Sequence, residues 1–153
     1  MDTRVAATTY RKPLPNVDDD SRPQWDGFKR HEFLLFRCKK CGAWYWPKAF
    51  CRTCENEPFF GNLEWTKASG KGKVFAFNIH HIAFDPSFTD DLPYVYALVE
   101  LDEGPLFGTN VVGCDPKDVY IGMPVEVTYE DITEEWTLPK FRPASGASVG
   151  VTR

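Results

Sequence analysis

Two cysteine pairs constrain the fold of this chain more than any other feature of its sequence. Cys38 and Cys41 enclose two residues, nine residues follow, and Cys51 and Cys54 again enclose two. Pairs with this spacing can place four thiolates at the corners of a tetrahedron, the arrangement that structural Zn²⁺ sites use. Because the protein would supply all four ligands, such an ion would hold the fold together and would not catalyse a reaction.

Other uses of these cysteines depend on the compartment and on the metal. Residues 1–7 lack the apolar core of a signal peptide, and no segment is long and apolar enough to cross a bilayer, so we expect a cytoplasmic location. Two disulfides are disfavoured in a reducing cytosol, whereas a rubredoxin-like iron or an iron–sulfur cluster stays open as an alternative to zinc. The fifth cysteine, Cys114, has no histidine-rich neighbourhood and is expected to be an inert thiol.

Glycine follows only the first cysteine pair. Gly42 can take the positive φ that lets backbone N–H groups point at the sulfurs. After the second pair this position falls to Glu55 or Asn56, and asparagine tolerates such a turn better. The second turn of the metal site is therefore expected to differ from the first.

Beyond residue 62 the sequence alternates strand signals with turn signals. Residues that are β-branched or aromatic favour strands at 74–82, 94–101, 106–112, 125–129 and 137–141. Asp115 followed by Pro116 predicts the start of a short helix between the third and fourth strands. Three strands, a short helix and two strands form the order of a five-stranded OB-fold barrel, with an SH3-like or split barrel as the alternative.

The predicted organisation is mainly β and has four parts. Residues 1–24, with three prolines and an acidic run at 18–20, are expected to form an extended arm, either flexible or ordered by a partner. Residues 25–62 are expected to hold a short amphipathic helix, a strand that leads to Cys38, and the cysteine-rich ribbon. Residues 63–143 are assigned to the barrel, and the small, polar residues 144–153 to a flexible tail.

The sequence offers no convincing catalytic set. It contains no nucleophile elbow, no Walker-type phosphate loop and no Rossmann fingerprint. His80 and His81 are neighbours in a predicted strand, so their side chains face opposite sides of the sheet. Lys71 and Lys73 lie in a glycine-containing connector that could wrap an anion such as a CoA phosphate, or serve only as a basic linker.

Charge and aromatic content bear on the kind of partner. The formal net charge of −4 argues against a chain whose main task is to bind nucleic-acid phosphates. Between residues 37 and 52, five basic residues and no acidic ones are interleaved with Trp44, Tyr45 and Trp46. Such a mixture suits a nucleic acid, a nucleotide-like cofactor or a protein interface. The predicted interface residues are Trp25, Phe28, Trp44 and Trp46.

From residue 25 to about residue 144, these signals in this order resemble a known family. The matching segments are WDGF at 25–28, LLFRCKKCG, WPKAFCRTC, LEWTKASGKGKVFAF, YVYALVELDEGP, GTNVVGCDPKDVYIGMPVEV and LPKFRPA. The family is that of the thiolase-associated zinc-ribbon/OB-fold proteins, long catalogued as "domain of unknown function thirty-five". The resemblance implies an N-terminal helical element, a rubredoxin-like zinc ribbon with one structural Zn²⁺ per chain, and a C-terminal OB barrel.

The resemblance also implies a function. Proteins of this family look like non-catalytic partners of thiolase-superfamily enzymes, namely acyl-CoA thiolases, acyltransferases or aldolases, in which the partner supplies the catalytic residues and the complex binds a CoA ester. His81 matches a position where relatives often carry a histidine, and is expected to line the acyl-CoA site. The alternatives are a partner of a hotdog-fold enoyl-CoA hydratase, a single-stranded nucleic-acid binder, and an independent acyl-CoA hydrolase that uses His81.

Overall fold

The computed structural model describes residues 9–47, 50–54 and 62–145. Among these residues a single α-helix, α1 at Arg22–Lys29, precedes the strands. The strands are Leu34–Cys38 (β1), Trp44–Tyr45 (β2), Leu63–Lys67 (β3), Lys71–His80 (β4), Tyr94–Leu101 (β5), Leu106–Val111 (β6), Pro124–Asp131 (β7) and Thr137–Pro143 (β8). Short 3₁₀ helices lie at Pro86–Asp91 and Pro116–Asp118.

Helix α1 begins earlier than the sequence predicts. The Asp18 carboxylate accepts hydrogen bonds from the backbone N–H and the hydroxyl of Ser21, at 2.8 and 2.6 Å. Pro23 then lies in the first helical turn. Backbone N–H groups there have no partner within the helix, so the N–H that proline lacks costs no helical hydrogen bond. The boundary of the extended arm at residue 24 is therefore corrected, because residues 22–24 belong to the helix.

The ribbon is a small antiparallel sheet with the strand order β2-β1-β3. Phe36 in the central strand pairs with Tyr45 of β2 on one side and with Trp65 of β3 on the other. Strand β1 ends at Cys38, so the sheet itself delivers the first metal-ligand candidate.

The second sheet closes into a barrel with the order β4-β5-β6-β8-β7. Strands β6 and β8 run parallel, with Val111 opposite Phe141, and Lys71 of β4 pairs with Glu126 of β7 to close the cylinder. This strand order is that of the OB fold, and the predicted mainly β architecture is confirmed. Alternate residues of β5 face inward and are buried, as period-2 alternation requires: Val95, Ala97, Val99 and Leu101.

The ribbon and the barrel share one hydrophobic core. Phe33, just before β1, contacts Phe107 and Phe141 of the barrel with ring centroids 5.0 and 5.9 Å away. The connector between the two sheets also packs tightly against the barrel. A Cβ on Gly70 would lie only 2.4 Å from a methyl carbon of Val127. Gly70 also has a φ of +67°, so this junction requires glycine.

Within the described part of the arm, residues 9–20, Tyr10 and Lys12 lie beside the chain's own barrel. The Lys12 ammonium forms an ion pair with Asp91 and lies 5.5 Å from the centroid of the Phe88 ring. Only 18% of the Lys12 side chain is exposed. The arm therefore makes an intramolecular contact with the 3₁₀ helix at Pro86–Asp91 through Lys12.

Three further predictions concern the chain's loops and ends. The helix predicted after Asp115 is only the three-residue 3₁₀ turn, which Asp115 caps by accepting from the Lys117 N–H at 3.0 Å. Glu55 and Asn56, and most of the predicted flexible tail, lie outside the described residues. No described helix has the length and apolar character needed to cross a membrane.

Candidate metal centre and partner surfaces

The four cysteines of the two pairs converge on one point. Their Sγ atoms all lie within 4.8 Å of one another, with Cys38 and Cys54 4.0 Å apart and Cys41 and Cys51 3.4 Å apart. Cys38 is buried at the end of β1, whereas Cys41 is exposed. The sequence prediction that these four residues form one cluster is confirmed.

The first turn of the cluster follows the predicted geometry. Gly42 has a φ of +77° and donates its N–H to the Cys38 carbonyl at 2.9 Å. The Cys38 N–H donates to Ala43 at 2.8 Å, which folds the chain back into β2. This tight turn holds Cys38 and Cys41 on the same side of the ribbon.

Tyr45 links the second cysteine pair to the ribbon sheet. Its hydroxyl donates to Cys51 Sγ at 3.5 Å and accepts the backbone N–H of Arg52 at 3.0 Å. The hydrogen bond from Tyr45 is the main reason that the pKa of Cys51 is lowered to about 6. Cys51 therefore supplies a thiolate near neutral pH, which is the form that binds metals. Sequence reasoning placed Tyr45 among the ribbon aromatics without assigning it this role.

The cluster fits a tetrahedral metal ion. A zinc–sulfur distance of about 2.3 Å places tetrahedral sulfurs about 3.8 Å apart, close to the two sulfur–sulfur distances above. Removal from water raises the pKa of the Cys54 thiol to about 12, so a bound cation must displace a tightly held proton there. Cys38, Cys41, Cys51 and Cys54 would hold the ion, whose role with four protein ligands is structural.

Cys114 lies apart from this cluster, between β6 and the turn at Pro116–Asp118. Its side chain is partly buried, and this burial raises the pKa of the thiol. A protonated thiol is a poor nucleophile, which agrees with the expected inert role.

The three residues expected to border an acyl-CoA site are not brought together. Lys71 and Lys73 begin β4 and His81 follows its end, roughly 30 Å away at the rise of an extended strand. Lys73 pairs with Glu100 at 3.7 Å. The Ser69 N–H of the connector is also engaged, since it donates to Glu103 at 2.5 Å. The connector is therefore not an open anion cradle, and these residues cannot form one compact site within this chain.

The four predicted interface residues divide into two groups. Phe28 is 2% exposed and packs in the core, because the inward face of α1 turns it toward Phe33, 5.8 Å away. The prediction that Phe28 contacts a partner is corrected to a core role. Trp25, Trp44 and Trp46 are partly exposed and remain accessible.

A second surface, which sequence reasoning missed, lies in the loop after β4. Phe84 is 93% exposed and Ile82 is 72% exposed, and His81 beside them is exposed as well. Large apolar side chains in such full contact with water are typical of binding surfaces. The sequence signal that could reveal this surface is the apolar pair Ile82 and Phe84, just before Asp85 and Pro86, where the chain leaves β4.

A ribbon with four clustered cysteines, joined to a closed five-stranded barrel, defines a zinc-ribbon/OB-fold protein. Residues 25–59 match the rubredoxin-like zinc ribbon domain of ChsH2, and residues 65–130 match the C-terminal OB-fold domain of ChsH2. The chain belongs to the DUF35 family: it is 40% identical over 113 residues to a DUF35 domain-containing scaffold protein of Methanocaldococcus jannaschii, covering 72% of this chain and 77% of that protein.

Two other similar proteins carry more specific names. The chain is 36% identical over 135 residues to the probable enoyl-CoA hydratase alpha subunit of Thermomonospora curvata, covering 87% of this chain but only 40% of that protein. A chain from the solved structure of the Ltp2-ChsH2(DUF35) aldolase superposes with a TM-score of 0.75 at 34% identity, covering 86% of this chain and all of that one.

Proposed function

We propose that this chain is a non-catalytic accessory subunit of a thiolase-superfamily enzyme that makes or breaks carbon–carbon bonds in CoA esters. The observation that carries the proposal is the structural likeness to one chain of the Ltp2-ChsH2(DUF35) aldolase. The superposition covers the whole of that aldolase chain. The relatives named as scaffold proteins support the same role. The resemblance of the sequence to thiolase-associated proteins supplies the enzyme class.

The exposed loop after β4 is the proposed contact with the catalytic subunit. Ile82 and Phe84 offer apolar surface that the described part of this chain leaves uncovered, and burial of such side chains drives stable association. His81 lies in the same loop, so a partner seated here would bring it toward the interface. The proposed role of His81 is to border the acyl-CoA site from this side.

In this proposal the four-cysteine cluster holds one Zn²⁺ per chain and stabilises the ribbon. Because zinc would be surrounded by protein sulfur, it would take no part in the reaction. The CoA ester would be bound by the complex, since Lys71 and Lys73 lie at the far end of β4 from His81.

A second candidate is the equivalent role beside an enoyl-CoA hydratase. The likeness to a hydratase alpha subunit extends over 87% of this chain and favours this possibility. The chain spans only 40% of that relative's length, so the hydratase activity in that relative's name is not assigned to this chain.

The charges of the barrel disfavour a nucleic-acid-binding role for this chain. Residues 63–143 contain 14 acidic and six basic side chains. Four of the six basic residues form ion pairs with carboxylates: Lys73, Lys117, Lys140 and Arg142. A barrel of this charge repels a phosphate backbone.

Affinity purification of the tagged chain from its native host, with mass spectrometry and metal analysis of the eluate, tests the proposal. We expect a stoichiometric thiolase-like protein together with about one zinc per small subunit. A hydratase in its place would support the second candidate. A lone monomer that binds oligonucleotides tightly would overturn both.

A further inference from the structure

The loop after β4 carries the two most exposed large apolar side chains among the described residues. Phe84 is 93% exposed and Ile82 is 72% exposed, whereas Ala83 between them is half-buried. Both large side chains therefore point away from the barrel. A side chain that protrudes in this way is complementary to a concave surface on another molecule and not to a flat one.

The helix that follows the loop holds it in place. Asp85 caps the 3₁₀ helix Pro86–Asp91, because its carboxylate accepts the backbone N–H and the hydroxyl of Ser87 at 2.8 and 2.7 Å. At the far end of this helix, Lys12 of the arm forms the ion pair described above. Phe84 is thus attached to a segment that is already structured, so docking costs little ordering of the backbone.

The loop and its helix are acidic. Residues 81–93 contain three carboxylates and neither lysine nor arginine. Lys12 neutralises Asp91. The two hydrogen bonds described above lower the pKa of Asp85 but come from neutral groups, so its negative charge persists. Asp90 is exposed, and none of the ion pairs among the described residues includes it. Two uncompensated negative charges therefore accompany the apolar pair.

Asp90 lies close enough to Phe84 to belong to the same interface. A 3₁₀ helix rises about 2 Å per residue, so Asp90 lies only about 8 Å along the helix from Pro86. Pro86 is two residues after Phe84. A standard interface of about 800 Å² per partner covers a patch of this size.

We propose that this loop docks into an apolar socket on the catalytic subunit whose rim carries lysine or arginine side chains. The inference rests on the proposed function, because it describes a surface of the enzyme that this chain accompanies. The socket would bury Phe84, and its basic rim would attract Asp85 and Asp90. A second copy of this chain fits less well, because its barrel has 14 acidic and six basic side chains in residues 63–143 and would repel these carboxylates.

Association rates test the basic rim. Stopped-flow mixing of the full chain with the purified catalytic subunit should give an association rate constant that falls as the salt concentration rises. Asp90→Asn should lower this constant roughly threefold, the scale of an exposed ion pair. Asp102→Asn removes the same charge from an exposed residue at the other end of β5 and should change the constant little. A rate that does not fall with salt, or equal effects of the two variants, would overturn the proposal.

Dissociation rates and cross-linking test the socket. Phe84→Ala should raise the dissociation rate constant roughly 30-fold, as is usual for a buried aromatic anchor. Phe75→Ala, at a 52% exposed phenylalanine outside the loop, is the matched control and should not. Phe84→p-benzoylphenylalanine should photo-cross-link to a segment of the catalytic subunit that combines apolar residues with lysine or arginine. A cross-link to an acidic segment or to a second copy of this chain, or none in the intact complex, would overturn the proposal.

The outcomes separate this inference from the proposed function. If Phe84→Ala binds the catalytic subunit as tightly as the wild type, and acyl-CoA turnover still requires the complex, the socket is overturned and the accessory role stands. A cross-link from position 84 to a basic-rimmed socket on a protein without activity on CoA esters would keep the socket but overturn the accessory role.

Discussion

Trp46, just after β2, packs edge-on against Phe107 of β6, with ring centroids 5.1 Å apart and planes at 84°. Phe107 in turn contacts Phe33 at 5.0 Å, so the ribbon touches the barrel core from both ends of its first hairpin. These contacts join the metal-binding module and the barrel into one body. A change at this junction should therefore alter the stability of both.

We expect Phe107→Ala to lower the free energy of unfolding by about 3–5 kcal/mol, because it removes a buried ring at the junction. A double-mutant cycle with Trp46→Ala should give a coupling energy of about 0.5–1.5 kcal/mol for the aromatic pair. Urea unfolding followed by circular dichroism measures both quantities. Strictly additive effects of the two changes would contradict direct contact.

The hydrogen bond from Tyr45 to Cys51 makes a prediction about metal retention. Tyr45→Phe keeps the ring but removes the hydroxyl that favours the Cys51 thiolate. Zinc affinity should fall roughly tenfold, as is usual when a residue that supports a metal ligand is lost. Competition with a chromophoric chelator measures the change. Tyr120→Phe, at an exposed tyrosine outside the ribbon, is the control and should retain wild-type affinity.

Asp131 gives the fold a pH dependence. The Thr137 hydroxyl, which donates to its carboxylate at 2.5 Å, and His31, whose Nε2 lies 3.1 Å away, lower the pKa of Asp131 below 3.8. A carboxylate whose folded pKa is depressed stabilises the fold above its unfolded pKa and loses that effect as the pH falls through the folded value.

Asp131→Asn should therefore lower the urea midpoint at neutral pH, and its difference from the wild type should shrink as the pH falls below 3.8. Unfolding curves across an acidic pH series measure this difference. Glu134→Gln, at an exposed position in the adjacent turn, is the control. A difference that does not change with pH would contradict the ionic role of Asp131.

The arm's attachment to the barrel predicts a change in proteolysis. Lys12→Met removes the ion pair with Asp91 and the contact with the Phe88 ring, so residues near Arg11 should open more often. We expect tryptic cleavage after Arg11 to accelerate roughly fivefold, the scale of a weak ion pair. Lys117→Met, which removes an exposed ion pair elsewhere, should leave that cleavage rate unchanged.

The loop after β4 makes a prediction about association. Phe84→Asp should weaken binding of the catalytic subunit roughly 30-fold or more if the side chain is an interface hot spot. Surface plasmon resonance with the purified partner measures the change. Ile121→Asp is the matched control, because Ile121 is also an exposed apolar residue but lies in the loop before β7. Wild-type affinity of the Phe84→Asp variant would place the interface elsewhere, and an equal loss for both variants would show that the effect is not specific to this loop.

Local patterns predicted the metal cluster and the barrel well, because each depends on spacing within short segments. The cysteine pairs fix two tight turns, and the alternation in β5 fixes which side chains face inward. The sequence pattern places the start of α1 too late, because prolines such as Pro23 are typical of an extended arm, whereas a proline is equally suited to a first helical turn.

Long-range features were beyond the reach of these patterns. The pairing of Lys12 with Asp91 joins residues far apart in the chain, and no local signal marks it. Phe28 was expected to contact a partner because its helix cannot bury itself alone, yet the barrel of the same chain covers it. The cleft between α1 and the ribbon likewise exists only once these two elements are packed together.

Acyl-CoA turnover by the chain alone, by its purified partner alone and by the reconstituted complex tests the accessory role most directly. We expect no turnover by the chain, little or none by the partner, and activity in the complex that Phe84→Asp reduces in proportion to the lost association. Turnover by the isolated chain, or full activity of the partner without it, would contradict an accessory subunit.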